Sequence, residues 1–89
     1  MWIRSQDRNM LINESYFRIY KECKEYSVCS RVEALGTYST EKKALKVMDM
    51  IEDTILKCEA MRTGYAEYDF GAFVFDMPAD KDVEVWMSY

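Results

Sequence analysis

The stretch STEKKALKVMDMIEDTILKC, residues Ser39 to Cys58, is where the period of the chain changes and the fold is decided. Ala44, Met48, Ile51, Ile55 and Cys58 recur at spacings of four, three, four and three, which places them along one side of an α-helix. Leu45, Val47 and Leu56 widen that stripe, while Lys42, Lys43, Lys46, Asp49, Glu52, Asp53 and Lys57 collect on the opposite face. A start signal precedes the pattern: Ser39 or Thr40 can accept hydrogen bonds from the first free amides, and Glu41 sits at the positive end of the helix dipole. Thr63-Gly64 supplies the stop, because glycine takes the left-handed conformation that closes a helix. The predicted helix has about 22 residues and a length of roughly 33 Å, enough to cross a whole small sheet.

Upstream of the helix the period is two. Trp2 to Ser5 reads as a strand, and the polar cluster Gln6-Asp7-Arg8-Asn9 turns the chain into Met10-Leu11-Ile12, which predicts a hairpin. From Tyr16 to Tyr20, Phe17 and Ile19 fall on one face and Tyr16, Arg18 and Tyr20 on the other. Lys21 to Glu25 is polar enough for a turn. Tyr26 to Val32 alternates again, and Leu35 to Tyr38 follows as a short strand. The first 38 residues therefore predict an antiparallel meander.

Downstream, residues 65–71 read as a loop and Ala72-Phe73-Val74-Phe75 as a strand ended by Pro78. Asp80-Lys81-Asp82 is a turn signal, and residues 83–87 alternate as either one more strand or a tail, so that 79–89 is a peripheral strand or tail of the domain. The expected fold is a single α+β domain over residues 1–89: a small antiparallel β-meander packed on one long α-helix, with a C-terminal strand after the helix.

With 89 residues, 49% hydrophobic and 15% aromatic, the chain fits one domain whose core leans on seven Met and seven Tyr. Its longest apolar run is far short of the roughly 20 residues that span a bilayer, and residues 1–7 lack the apolar stretch of a signal peptide. The expectation is a cytoplasmic protein that does not bind membranes. Cys23, Cys29 and Cys58 fit no metal spacing and read as reduced thiols; the sequon Asn13-Glu14-Ser15 is then without consequence.

The net charge of −4 is uneven. Residues 1–38 carry six Lys or Arg against five Asp or Glu, 39–62 five against five, and 63–89 one against six. Nucleic-acid affinity rests on clustered cations, so this distribution argues against a nucleic-acid binder. Lys42, Lys43 and Lys46 form the one basic cluster, read as a solvated helix face.

No motif specifies a reaction. The chain has no histidine, which removes the commonest general base and the commonest zinc and haem ligand. Ser39-x-x-Lys42 matches the spacing of a serine–lysine pair, but Ser39 reads as a helix cap and the further motifs of such enzymes are missing. Asp76, Asp80, Asp82 and Glu84 lack the glycine and terminal glutamate that shape a calcium loop, and Gly36, Gly64 and Gly71 are too isolated to cradle phosphate. The sequence thus predicts a non-enzyme with no catalytic residue, no metal and no cofactor.

What remains is aromatic. Tyr65, Tyr68, Phe70 and Phe73 head a crowd completed by Phe75, Trp86 and Tyr89, more than one thin core absorbs. These four are the predicted binding residues, facing a protein partner or, alternatively, a small or regulatory ligand. A homodimer is expected, centred on Tyr68, Phe70 and Phe73 or on an open sheet edge, with the acidic residues 80–84 outside it.

Met1-Trp2-Ile3-Arg4-Ser5-Gln6-Asp7 with Leu11-Ile12-Asn13, then Leu35 to Ala44 running into Val47-Met48-Asp49-Met50-Ile51, and Phe73-Val74-Phe75-Asp76-Met77-Pro78 together resemble small uncharacterised proteins of Gram-positive bacteria, their phages and conjugative elements. The resemblance covers under half the chain. It implies this layout and a phage or mobile-element source, and it brings no catalytic or binding residue with it.

Overall fold

The structure of the protein, a computed structural model, describes residues 1–64 and 74–85. Its elements run β1 (Trp2–Arg4), β2 (Leu11–Asn13), β3 (Arg18–Glu22), β4 (Glu25–Cys29), β5 (Ala34–Tyr38), α1 (Glu41–Gly64) and β6 (Val74–Asp76), followed by a one-turn 3-10 helix at Asp80–Asp82. The fold is α+β, with one long helix and a strand after it.

The strands form two sheets, where the alternation predicts one meander. Sheet A has the order β2-β1-β6, and sheet B the order β3-β4-β5. The predicted first hairpin is present: Ile3 faces Ile12 across an antiparallel pair, and the Ser5 N–H donates to Met10 O at 2.9 Å. Its turn is held by Asp7, whose carboxylate accepts from Ser5 Oγ at 2.6 Å and from the Asn9 N–H at 3.0 Å. Beyond β2 the meander breaks at Glu14. Its N–H donates to Met1 O, and its carboxylate accepts from the N–H groups of Ser15 and Tyr16, which turns the chain out of sheet A before β3 begins. The other side of β1 is taken by β6, in parallel register with Ile3 opposite Phe75, a pairing that needs the long crossover α1 supplies.

Sheet B is a true meander. Ile19 pairs with Val28 and Val28 with Gly36, so these residues share the inner face. The turn predicted over Lys21 to Glu25 is tighter: only Cys23 and Lys24 lie between the paired Glu22 and Glu25. Cys23 has φ 54°, the positive value that a type II′ hairpin turn requires at its first central residue. β4 stops at Cys29, three residues before the predicted end. There the buried Ser30 donates through Oγ to Glu33 O and accepts from the Val32 and Glu33 N–H groups, closing a turn of its own.

Thr40 is the helix cap. Its Oγ1 accepts from the Lys43 N–H at 3.2 Å, while Ser39 is turned to Asp80. The helix lies on β4 and β5 of sheet B. Ala44, Val47 and Ile51 are buried in a core shared with Ile3, Val28, Leu35, Tyr38, Met77 and Val83, and Met48 and Ile55 pack at its margin. The buried stripe is narrower than the spacing predicts: Leu45 and Leu56 point to solvent at 48% and 58% exposure.

The two sheets are joined at Gln6. Its N–H donates to Leu35 O at 2.7 Å; its side-chain amide donates to Thr37 O and Pro78 O and accepts from the Thr37 N–H. The amide thus occupies the edge of β5 as a neighbouring strand would. This approach explains Gly36, where an added Cβ would come within 3.0 Å of Tyr38 Oη, 3.1 Å of Met77 Cε and 3.3 Å of Gln6 Cβ. Residues after β6 are pinned in the same region. Tyr38 Oη donates to Pro78 O at 2.8 Å, and Val83 is buried. Asp80–Asp82, predicted as a turn, is a single 3-10 turn, and residues 83–85 are irregular rather than strand.

Candidate interaction surface

The predicted binding residues Tyr65, Tyr68, Phe70 and Phe73 lie outside the described residues, as do Trp86 and Tyr89. Phe75 is half-buried against the core. Among the described residues, exposed aromatic and apolar side chains gather instead on the outward faces of the two sheets.

On sheet B the period of two that buries Ile19 and Val28 must turn Arg18, Tyr20, Ser27 and Cys29 outward. Tyr16 leads into that face, and the Ser30 turn carries Arg31 and Val32 to its margin. Tyr16 and Tyr20 are 44% and 47% exposed, and Val32 is 84% exposed. Each tyrosine is matched with a guanidinium: Arg18 lies 5.6 Å from the Tyr20 ring centre and Arg31 5.5 Å from that of Tyr16. Such contacts hold flat aromatic and cationic groups in place without covering them. Between them is a shallow, open cleft of about 180 Å³ bordered by Arg18, Tyr20, Cys29, Arg31, Val32 and Glu33.

Cys29 is the thiol that borders the cleft. Burial pushes the Cys29 thiol above its ordinary value, with the Arg18 charge opposing in part, so the sulfur is protonated at neutral pH and directed to Ser27 O at 3.7 Å. The carboxylates with lowered pKa are structural. Asp7 is held down chiefly by Ser5, Glu14 by the Ser15 N–H and Asp80 by the Ser39 N–H, each through a hydrogen bond to the charged form. Asp76 pairs with Arg8 at 3.8 Å and Asp80 with Lys43 at 3.3 Å, so the acidic residues after the helix are drawn to different partners. Among the described residues no three Cys, Asp or Glu stand close enough to hold a metal ion, and no helix is long and apolar enough to cross a membrane.

On sheet A, Trp2 at 43%, Leu11 at 45% and Val74 at 38% exposure share the outer face, set by the registers Trp2 to Val74 and Arg4 to Leu11. The basic cluster of the helix is partly spent, since Lys43 Nζ donates to Asp80 O at 2.9 Å. Lys42 and Lys46 border a dent of only about 50 Å³ with Asp49 and Val85.

Sequence reading finds the alternation of Tyr16, Arg18 and Tyr20 against Phe17 and Ile19 but does not single out these residues as a surface. Arg31 and Val32 carry no sequence signal, because Val32 reads there as the last residue of a strand. Compared with protein families, with curated proteins and with solved structures, the chain matches none.

Proposed function

We propose that the protein is a non-enzymatic interaction protein that binds another protein through the outer face of sheet B. The observation that carries this reading is the set of tyrosine–arginine contacts beside the exposed Val32. Tyr and Arg are enriched at the hot spots of protein interfaces: tyrosine buries much area with few rotors, and the guanidinium brings a planar fork of hydrogen-bond donors. The cleft among them is shallow and open, a shape that suits a protruding side chain of a partner better than an enclosed small molecule. Its two guanidiniums favour a partner that presents carboxylates. The resemblance to phage and mobile-element proteins supports an accessory role inside the bacterial cytoplasm, where three unpaired thiols stay reduced.

Site-specific photocrosslinking in the source cell tests the reading. A benzoyl-phenylalanine replacing Val32 should give a discrete adduct with a second protein, one replacing Glu52 on the polar helix face should not, and Arg31→Glu should abolish the first adduct. Equal labelling at both positions, or an adduct indifferent to Arg31→Glu, overturns it.

A further inference from the structure

β3 is an edge strand: among the described residues only β4 pairs with it, and its Arg18, Tyr20, Lys21 and Glu22 are exposed. The other long edge of sheet B is filled by the Gln6 amide, so β3 is the side on which sheet B can grow. Because the hairpin closes on a two-residue turn, Glu22 and Glu25 form its hydrogen-bonded closing pair, and the pattern alternates from there. The N–H and C=O groups of Ile19 and Lys21 therefore point away from β4, toward the open edge.

We propose that two copies of the chain pair antiparallel through β3, about a two-fold axis at Tyr20, joining two B sheets into one of six strands. This goes beyond the reading of a protein-binding face and does not depend on it. The register follows from the residues. Centred on Tyr20, Ile19 stands opposite Lys21 of the other copy, and these are the residues whose backbone groups face outward, so four inter-chain hydrogen bonds form with none misdirected. The same register sets Tyr20 opposite Tyr20 and Arg18 opposite Glu22, twice over, in the closer non-hydrogen-bonded positions where side chains touch. Within one copy Glu22 faces Glu25, and neither Arg18 nor Glu22 has an ion-pair partner among the described residues. An axis at Lys21 would oppose two ammonium groups. One at Ile19 would leave both Glu22 side chains unmatched. Five residues per strand make a small interface, so the dimer is a weak, reversible one.

Sedimentation velocity on the full chain, from low micromolar to several hundred micromolar, tests this. The mass should rise from 10.6 kDa toward twice that value. Arg18→Glu and Glu22→Arg should each weaken association by about tenfold or more, since each sets like charges opposite at two places, and the double variant R18E/E22R should restore it. Lys21→Pro removes an N–H that faces the open edge and not β4, so it should give a folded monomer by circular dichroism. A wild-type monomer throughout, a double variant no tighter than the singles, or a Lys21→Pro chain that still dimerises overturns the proposal. Arg31→Glu, which tests the protein-binding face, should leave the dimer intact.

Discussion

Asp80 shows how one side chain can tie distant parts of the chain together. Its Oδ1 accepts from the Ser39 N–H at 2.8 Å and from Ser39 Oγ, and its Oδ2 and main-chain oxygen receive Lys43 Nζ. The entry of the helix is thereby fastened to the segment that follows β6. These bonds favour the ionised carboxyl, the Ser39 N–H most of all, and hold its pKa below the ordinary aspartate value. A lowered folded-state pKa means that this stabilisation is complete at neutral pH, above the unfolded value near 4, and is lost as pH falls through the folded value. Asp80→Ala should therefore cost about 1 kcal/mol at pH 7, discounted because the group is 40% exposed and screened by solvent. In urea titrations the gap between wild type and variant should narrow as pH falls below the ordinary aspartate value; a gap unchanged between neutral pH and strong acid would show that the charge is not what holds the contact. None of this is legible in the sequence, where Ser39 and Thr40 are equal candidates for the cap and Asp80 reads as a turn residue. Only the meeting of residues 39 and 80 gives Ser39 its other task and leaves the cap to Thr40.

At the scale of elements the sequence is far more legible. β3 and β4 announce themselves by alternation and the helix by its stripe, because both periods are local consequences of backbone geometry. Ala44, Met48, Ile51 and Ile55 do face the core, and Ile51 is 2% exposed. Leu45 and Leu56 depart from expectation because a helix on a three-stranded sheet meets it along a narrow line, and residues one step around the cylinder miss it. Burying an isoleucine contributes about 1.5 to 3 kcal/mol, and a buried aspartate adds the cost of an unpaired charge. Ile51→Asp should thus abolish the cooperative thermal transition seen by circular dichroism, whereas Leu56→Asp should leave it close to wild type. A cooperative melt retained in Ile51→Asp would mean that the helix does not rest on this face. The candidate surface is half legible on the same grounds: alternation turns Tyr16, Arg18 and Tyr20 away from the core, but nothing local says that Arg31 will reach Tyr16.

The assembly of the whole molecule is where sequence reading is weakest, since a strand's period does not name its partner. β1 to β5 look like one meander by pattern, yet Glu14 ends the pairing and β6, far along the chain, takes the other side of β1. Two small sheets of three strands then need a joint, and Gln6 is that joint. Its side chain makes three hydrogen bonds across sequence separations of 31 and 72 residues, one accepted from Thr37 and two donated to Thr37 O and Pro78 O. Gln6→Ala deletes all three and leaves the Thr37 N–H, on a half-buried residue, without its acceptor. The expected loss is about 2 kcal/mol, more than a surface substitution and less than loss of the fold. Gln6→Glu separates the two ends of the amide. The carboxylate can still accept from Thr37, but it turns negative oxygen toward two carbonyls, so its penalty at neutral pH should equal or exceed that of alanine. In acid the protonated carboxyl regains a donor, and the deficit of Gln6→Glu should shrink while that of Gln6→Ala does not. Urea unfolding of the three proteins at pH 7 and pH 3 checks this, and a pH-independent difference between the two variants would place the joint between the sheets elsewhere.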